Sequence, residues 1–260
     1  MNMPLVYKYT KSNFNYTEKK IDLPNEILVE IGNNWDKSKK KNKSLHNGEI
    51  FVIENVEFIK GQRNFNLVKS TYSHYLYSFK NNFVGNYGCR SVAVNLLPIT
   101  MDGYYVLALM NVKTSMPNTI KFIGGAISNA DLEIEKFNLY KSIRRETLEE
   151  IGIDLSDKKN VQNCEPIYFL TRKNLSTVIV LFKAVLELSK DELQDRFDKY
   201  IDRNIKSEIE IQKIIFIKDD EKSLNKFMLD NKDCLIEYLP DTFDSLLGKI
   251  KVGEMPEAIF

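Results

Sequence analysis

The spacing of hydrophobic and polar positions divides the chain into two parts. In the first part, the apolar run Ile50-Phe51-Val52-Ile53 is typical of a strand, and the periodic stretch from Asn25 to Trp35, introduced by Pro24, predicts a helix. A lysine-rich run follows this helix, and we interpret it as a solvated loop; its members are Lys37, Lys39, Lys40, Lys41 and Lys43. Residues 1–88 are therefore predicted to form a smaller N-terminal α+β subdomain with an accessory role.

Longer apolar runs begin after Cys89. The runs Ser91–Pro98 and Tyr104–Met110 flank the turn residues Asp102-Gly103 and predict a hairpin, and a helix is expected from about Glu135 to Ile151, ending at Gly152. The other predicted elements are strands ending at Ile123 and spanning Pro166–Thr171, Thr177–Leu188 and Ile211–Ile217, a helix at Lys190–Arg203, and a helical tail over Glu221–Lys251 broken near Pro240. This irregular alternation over residues 89–260 predicts an α+β fold in which helices pack on a mixed sheet.

Composition limits the kind of partner and the kind of chemistry. The 260 residues carry 37 basic and 36 acidic side chains, so no overall field attracts nucleic acid or an anionic membrane. The N-terminus lacks the apolar core of a secretory signal and no long apolar run follows, which predicts a cytoplasmic protein. Three widely spaced cysteines imply neither a disulfide framework nor a zinc site. With only two histidines, we expect carboxylates to carry any catalysis.

Three glutamates within the predicted helix form the main candidate site. Glu146, Glu149 and Glu150 stand at positions i, i+3 and i+4, so their side chains share one helix face and repel one another. Hard divalent cations such as Mg²⁺ prefer such oxygen ligands and bridge them to phosphates. A solvated acidic face, paired with nearby lysine and arginine, is the alternative. The glycine pair Gly124-Gly125 before the helix favours a site, because it lets the backbone approach closely.

The segment Arg145-Glu146-Thr147-Leu148-Glu149-Glu150-Ile151-Gly152-Ile153 resembles the second half of the signature motif of the Nudix hydrolases, apart from Thr147 at an apolar position. The resemblance implies an α/β/α sandwich over residues 89–260 and hydrolysis of a phosphoanhydride bond. It also implies that Glu146, Glu149 and Glu150 bind Mg²⁺ or Mn²⁺, and that Arg145 orients a glutamate. Arg145 and Glu149 are thus our candidate catalytic residues in this segment.

The family's general base varies in position, and here Glu208 and Glu210 precede the strand that starts at Ile211. We choose Glu208 as the third catalytic candidate, and a solvated strand edge is the alternative.

The first half of the motif departs from the family pattern. Gly125 lies 20 positions before Arg145 where the pattern has 14, so the loop between them is six residues longer. The position eight residues before Arg145 holds Phe137 where the family has glutamate. Glu133 and Glu135 are candidates for that role from a remodelled loop. The number of bound metal ions stays open.

Segments of the N-terminal part are similar to the region that precedes the catalytic domain in the UDP-glucose diphosphatase branch of the family. They are Asn47-Gly48-Glu49-Ile50-Phe51, Tyr72-Ser73-His74-Tyr75 and Phe83-Val84-Gly85-Asn86. This similarity, with the enlarged loop, implies cleavage of UDP-glucose or UDP-galactose into UMP and a sugar phosphate. Six aromatic residues suit a nucleotide pocket or a core: Tyr72, Tyr75, Tyr77, Phe79, Phe83 and Tyr87. The candidate substrate-binding residues are Gly124, Gly125, Tyr87 and Arg90.

Two other functions remain open. One keeps the chemistry but changes the substrate to ADP-ribose, a dinucleotide or capped RNA. The balanced charge speaks against RNA, because such an enzyme would be expected to show a basic stripe. The other is a non-catalytic module that senses a nucleotide. For the main hypothesis the expected ligand is a small-molecule nucleotide, with neither a membrane nor nucleic acid as a partner, and a homodimer is the expected assembly.

Overall fold

The computed structural model describes residues 5–43, 45–81, 87–172, 174–204 and 209–257. The helices in these ranges are α1 (Asn25–Lys41), α2 (Tyr72–Lys80), α3 (Leu139–Ile151), α4 (Lys190–Arg203), α5 (Glu221–Asp230) and α6 (Leu239–Leu246). The strands are β1 (Val6–Lys8), β2 (Ser12–Lys20), β3 (Glu49–Ile59), β4 (Gln62–Thr71), β5 (Ser91–Ile99), β6 (Tyr104–Met110), β7 (Ile120–Lys121), β8 (Leu132–Glu133), β9 (Lys136–Phe137), β10 (Val161–Thr171), β11 (Thr177–Leu186) and β12 (Ile211–Lys218).

These strands form one mixed sheet. Its main path runs β1-β10-β11-β5-β3-β4-β2-β9-β8, while β6 joins β5, β7 and β12. The pairs β11–β5 and β2–β4 are parallel, and the other strand pairs are antiparallel. The predicted α+β class with a mixed sheet is therefore confirmed.

Strands from both sides of residue 88 take part in this sheet. β1 pairs along its length with β10, and β3 meets β5 at Val52 and Ser91. The division into an accessory subdomain of residues 1–88 and a second domain stays a prediction.

The central strand β5 separates two cores. Val94 and Leu96 belong to a cluster that also contains Ile143 of α3 and Leu193 of α4. Leu97 and Ile99 belong to a second cluster that includes side chains of the two C-terminal helices. Helices therefore pack on both faces of the sheet, and α3 lies on the same side as α4.

Some element boundaries differ from the predicted ones. α3 begins at Leu139 and not near Glu135, because Lys136–Phe137 form β9 beside β2 and Asn138 then caps the helix. The strands around the turn Asp102-Gly103 pair at Ile99 and Tyr105, after which each joins another neighbour. Pro240 lies in the first turn of α6, so the break in the helical tail precedes it.

The lysine-rich run is exposed, as expected, but the predicted loop is wrong for most of it. Lys37, Lys39, Lys40 and Lys41 belong to the last turns of α1, and only Lys43 follows the helix. Basic side chains near a helix C-terminus interact favourably with the helix dipole, which explains why the helix continues through them. Within the described ranges, no helix has the length and apolar character needed to cross a membrane.

Candidate functional site

The candidate site is built around α3, whose ends and core face fix the direction of its glutamates. The Asn138 side chain caps the start by accepting a hydrogen bond from the backbone N–H of Lys141 at 3.1 Å. At the other end Gly152 adopts a left-handed conformation with φ of 71°, and its N–H donates to the carbonyl of Leu148. Fully buried Ile143 anchors the helix to the core. With α3 held in this orientation, the side chains of Glu146 and Glu150 are buried and that of Glu149 is not.

Glu150 is buried against the glycine loop. The backbone N–H of Gly124 donates to Glu150 Oε2 at 2.6 Å, and Lys121 Nζ lies 3.4 Å from Oε1. Lys121 also donates to the Gly124 carbonyl at 2.5 Å, so one cation holds both the loop and the carboxylate. Burial raises the pKa of Glu150, the charge of Lys121 opposes this rise, and Glu210 adds to it. Because α3 buries this carboxylate among polar partners, it can serve as a fixed oxygen ligand.

Glu146 lies one helical turn before Glu150 and faces the second glycine. A Cβ atom built on Gly125 would lie 2.5 Å from Glu146 Oε2, so any larger residue would displace this carboxylate from its observed position. Arg145 Nη1 pairs with Glu146 Oε1 at 2.7 Å. Burial raises the pKa of Glu146 to about 7, with Arg145 opposing the rise and the charge of Glu150 adding to it. The two buried carboxylates therefore repel each other, as the spacing predicted.

Asp131 contacts Arg145 where the resemblance led us to expect a glutamate. It is fully buried and accepts from Arg145 Nε at 3.0 Å and from Nη2 at 2.8 Å. Its Oδ2 also accepts from the Ser128 backbone N–H at 2.8 Å, in a capping box of a short 3₁₀ turn. Burial raises the pKa of Asp131, but the hydrogen bonds from Arg145 and Ser128 lower it by a larger amount. The net pKa of Asp131 is therefore below its ordinary value.

The sequence carried a signal for Asp131, since serine followed three positions later by an acidic residue is a capping pattern. The candidates Glu133 and Glu135 do not take this role: Glu133 accepts from Asn138 at the start of α3, and Glu135 contributes its backbone carbonyl to Tyr16. Phe137 is buried in the core.

Glu149 differs from its two neighbours. Its side chain is 58% exposed and pairs with Arg145 Nη1 at 2.9 Å. Arg145 thus bridges three carboxylates, and its role in orienting a glutamate stays a prediction. Glu149 therefore lies at the exposed edge of the site and shares Arg145 Nη1 with buried Glu146.

The chemistry of this donor set fits a hard divalent cation. In the described part of the chain, no three Asp, Glu, His or Cys side chains are grouped closely enough to form a complete metal site. Two carboxylates nevertheless suffice for Mg²⁺, which commonly takes one or two protein carboxylates and completes its shell with water and substrate phosphates. The pair Glu146 and Glu150 meets this requirement; burial is the main cause that raises the pKa of each carboxyl, and a nearby carboxylate adds to the rise.

A pocket of about 240 Å³ opens beside the glycine loop. Lys121, Gly124 and Gly125 line it at the end near the glutamates, and Arg172 lines it beside aromatic side chains of α2. The remaining lining residues are Ile50, Tyr72, Tyr75, Leu76, Phe79, Ser91, Ala93, Asn95, Ser115, Met116, Ala126, Thr177, Ile179, Ile236 and Tyr238. The predicted substrate-binding glycines are thus at the pocket, and Lys121 and Arg172 are lining residues that the sequence did not reveal.

Other candidates are not part of the described lining of this pocket. Tyr87 and Arg90 are not among its described lining residues; the Tyr87 carbonyl faces His74 Nε2 at 2.7 Å, and the Arg90 carbonyl accepts from Ile53. His74 is buried and hydrogen-bonded at both ring nitrogens, as expected for a structural histidine. Glu208 and Phe83 lie outside the described residues.

Comparison with known proteins gives partial structural matches. No family model and no curated protein sequence matches this chain. The bifunctional NMN adenylyltransferase/ADP ribose pyrophosphatase of Francisella tularensis, complexed with AMP and a manganese ion, matches with 12% identity and a TM-score of 0.42. The match covers 67% of this chain and 46% of that one, so this chain spans less than half of that enzyme.

Two further solved structures match at similar levels. The MutT protein of Methanosarcina mazei Go1 is 15% identical, with a TM-score of 0.38 over 62% of this chain and 94% of its own. The NUDIX domain of Shewanella oneidensis NrtR, complexed with ADP ribose, is 10% identical, with a TM-score of 0.38 over 70% of this chain and all of its own. The structures that this chain resembles are thus Nudix proteins at low identity, and its function rests on the geometry of its own site.

Proposed function

We propose that this protein is a Mg²⁺- or Mn²⁺-dependent hydrolase of the Nudix type that cleaves the diphosphate of a nucleoside diphosphate sugar. UDP-glucose and UDP-galactose are the proposed substrates, and the products are UMP and a sugar phosphate. The supporting observation is the burial of Glu146 and Glu150 beside the Gly124-Gly125 loop at one end of a pocket.

The burial of like charges carries this proposal because it is unfavourable without a counter-charge. Two carboxylates on adjacent turns of a helix repel each other, and burial strengthens the repulsion by lowering the local dielectric. Arg145 and Lys121 compensate part of this charge, but each also contacts other groups. An arrangement of this kind costs stability and is explained by cation binding at the pocket.

Each residue of the site has a proposed role. Glu146 and Glu150 hold the metal, and Glu149 contributes from the exposed edge as a further ligand or catalytic group. A bound divalent cation would neutralise the diphosphate and lower the pKa of the attacking water. Arg145, anchored by Asp131, fixes the carboxylate of Glu146.

The glycine loop and the base complete the proposed machinery. Gly124 and Gly125 allow the phosphates to approach the backbone, since neither carries a side chain. Lys121 keeps the loop in place through the Gly124 carbonyl. A glutamate before β12 takes a proton from water; Glu208 is the first candidate, and the charge of Glu210 acts on Glu150.

A product screen tests this function. Purified protein is incubated with UDP-glucose, UDP-galactose, ADP-ribose, a dinucleotide and nucleoside triphosphates, each with Mg²⁺, Mn²⁺ or EDTA, and the products are separated by chromatography. We expect UMP and sugar phosphate from the UDP-sugars with metal, and no turnover in EDTA. Preferred cleavage of ADP-ribose would reject the proposed substrate but keep the chemistry. Nucleotide binding without turnover on the whole panel would establish the sensing function.

A further inference from the structure

Three aromatic side chains of α2 form a continuous surface along one wall of the pocket. Tyr72, Tyr75 and Phe79 are spaced at i, i+3 and i+7, so they follow one helix face. The Tyr72 and Tyr75 rings are stacked with centroids 6.0 Å apart and planes inclined by 22°, and Phe79 lies 6.3 Å from Tyr75. All three line the pocket. Such a row offers flat apolar area on which another planar ring can stack.

Arg172 lies at the edge of this aromatic row. Its guanidinium carbon is 5.4 Å from the centroid of the Phe79 ring. Arg172 donates two hydrogen bonds to the carboxylate of Glu237, from Nε at 2.7 Å and from Nη2 at 3.2 Å. Its Nη1 contacts the sulfur of Met116 at 3.4 Å. Arginine has five N–H groups and these contacts use three, so a fixed guanidinium retains donors for an acceptor in the pocket.

The size and composition of the pocket suit one ring of a nucleotide. Its volume of about 240 Å³ is below the roughly 300–1,000 Å³ typical of sites that hold a whole ligand. Its wall is largely apolar, with Ile50, Ile179 and Ile236 opposite or beside the aromatic row. A base has two apolar faces and a polar edge, so it matches a largely apolar wall with a few polar side chains better than a sugar, whose hydroxyls surround the ring.

We propose that this pocket takes the nucleobase of the substrate, that Tyr72, Tyr75 and Phe79 stack on it, and that Arg172 selects a base with a carbonyl oxygen at its edge. Uracil presents two such oxygens, whereas the exocyclic group of adenine is an amino donor and its acceptors are ring nitrogens. The phosphates then lie towards Lys121 and Gly124, which line the same pocket. This inference rests on the proposed function, because it assigns one part of that substrate to the pocket.

Calorimetric titration of the full-length protein with UMP and with AMP tests the inference, in Mg²⁺ and again in EDTA. We expect UMP to bind about tenfold more tightly than AMP, because only uracil offers Arg172 an exocyclic carbonyl oxygen, whereas the adenine amino group at that edge is a donor. Phe79→Ala should weaken both nucleotides by about tenfold, as expected for the loss of a base-stacking ring. Arg172→Gln should weaken UMP to the level of AMP and leave AMP nearly unchanged.

The chain offers a matched control. Phe58 also lies against an arginine, with the Arg63 guanidinium carbon 4.6 Å from its ring, but it does not line this pocket. Phe58→Ala should leave both affinities unchanged. If Phe79→Ala unfolds the protein, Phe79→Leu removes the ring while keeping apolar volume, and circular dichroism verifies the fold of each variant.

The outcomes separate this inference from the proposed function. Equal binding of UMP and AMP, or unchanged UMP affinity in Arg172→Gln, would overturn the role of Arg172. Unchanged affinities in Phe79→Leu would overturn the stacking surface. If these variants also keep the KM of UDP-glucose hydrolysis, the hydrolase stands and the base pocket falls. Selective UMP binding without hydrolysis of any substrate would support the base pocket and overturn the proposed hydrolase.

Discussion

Two partly buried arginines are each held by a carboxylate, but the charge balance around them differs. Arg172 lies in the pocket wall, here called the neutral end, and Arg145 lies behind the Gly124–Ala126 loop that lines the pocket, here called the acidic end. Arg172 pairs with Glu237 through two contacts, and this pair is neutral. Arg145 makes the same two-point contact with Asp131, and then also neutralises two glutamates. With Lys121 included, the second end has two cations against four carboxylates, namely Asp131, Glu146, Glu149 and Glu150.

This difference explains how one pocket can receive two chemically distinct parts of a ligand. The neutral end can exclude water and stack a ring without attracting counter-ions. The acidic end would repel a diphosphate unless a cation stands between them, so the geometry favours ligand binding that depends on metal at one end only. Substitutions at each end should therefore change different measurements.

The largest effect is expected for Glu150→Gln. Its amide oxygen can still accept from the Gly124 N–H, so the fold should persist while the charge of a proposed metal ligand is lost. We expect turnover to fall roughly a hundred- to thousandfold, since metal-assisted charge stabilisation is worth several kcal/mol. The melting temperature should fall, because buried Lys121 loses its charged partner, although the removal of repulsion with Glu146 offsets part of this loss. Retained turnover at saturating Mg²⁺ would contradict the assignment.

Glu149→Gln is the matched control on the same helix. Its side chain is mostly exposed, so a smaller loss of turnover is expected than for Glu150→Gln. Equal losses in the two variants would mean that burial does not distinguish the two glutamates.

The next largest effect is expected for Asp131→Asn. This change removes the buried charge that holds Arg145, and we expect turnover or metal affinity to fall by up to about a hundredfold, as for residues that orient metal ligands. The free energy of unfolding should fall by about 2 kcal/mol, because a partner is left imperfectly paired in a buried site. Titration of activity against Mg²⁺ and urea unfolding measure the two effects.

Arg144→Gln provides the comparison for Asp131→Asn. The Arg144 side chain pairs with Asp154 at 3.6 Å, and both are about half exposed. Exposed ion pairs contribute only about 0–1 kcal/mol, so this variant should resemble the wild type. A larger effect on metal activation from Arg144→Gln than from Asp131→Asn would mean that Arg144, and not the Arg145–Asp131 pair, supports the site.

A smaller effect is expected for Gly125→Ala. The new methyl group would collide with the carboxylate of Glu146, which can swing away at modest cost in stability. Displacement of this ligand should lower turnover about tenfold, because catalysis depends on placement to within about 1 Å. Gly32→Ala in α1 is the control, since nothing lies within 4 Å of its added Cβ. That variant should keep full turnover and gain about 0.5–1 kcal/mol in stability.

The acidic end was largely predictable from the sequence and the neutral end was not. The spacing of Glu146 and Glu150 within one helix is a local property, so periodicity sufficed to place them on one face. Asp131 was missed because the longer loop moves the partner of Arg145 away from the position that the motif suggests. Arg172 and Glu237 are 65 residues apart, and no local pattern relates them.

The boundaries of the secondary-structure elements were also predicted well where they depend on local sequence and less well where they depend on distant residues. The bounds of β6 and α4 agree with prediction. The hydrophobic pattern of each element, and the capping serine that directly precedes α4, are local in the sequence. The start of α3 was placed too early because Lys136–Phe137 pair with β2, more than a hundred residues away in the chain. Strand pairing of this kind overrides local helical periodicity.

The smallest effect concerns His74, which lies on α2 behind the neutral end. Burial lowers its pKa from 6.5, and the hydrogen bond to the Tyr87 carbonyl only partly opposes this. Because the folded state holds the proton less tightly than the unfolded state, the contribution of His74 to stability is complete above pH 6.5. It declines as the pH falls through 6.5 towards the lower pKa of the folded state.

Urea unfolding at pH 7.5 and at pH 5.5 measures this contribution. Carboxylates also titrate across this interval, so the informative quantity is the change in unfolding free energy between the two pH values, compared between wild type and His74→Gln. We expect the variant to lose about 1 kcal/mol less than the wild type on acidification, close to the effect of one group over one pH unit. His46→Gln, at an exposed position, should behave like the wild type. An identical pH dependence in His74→Gln would show that protonation of His74 does not contribute to the loss of stability on acidification.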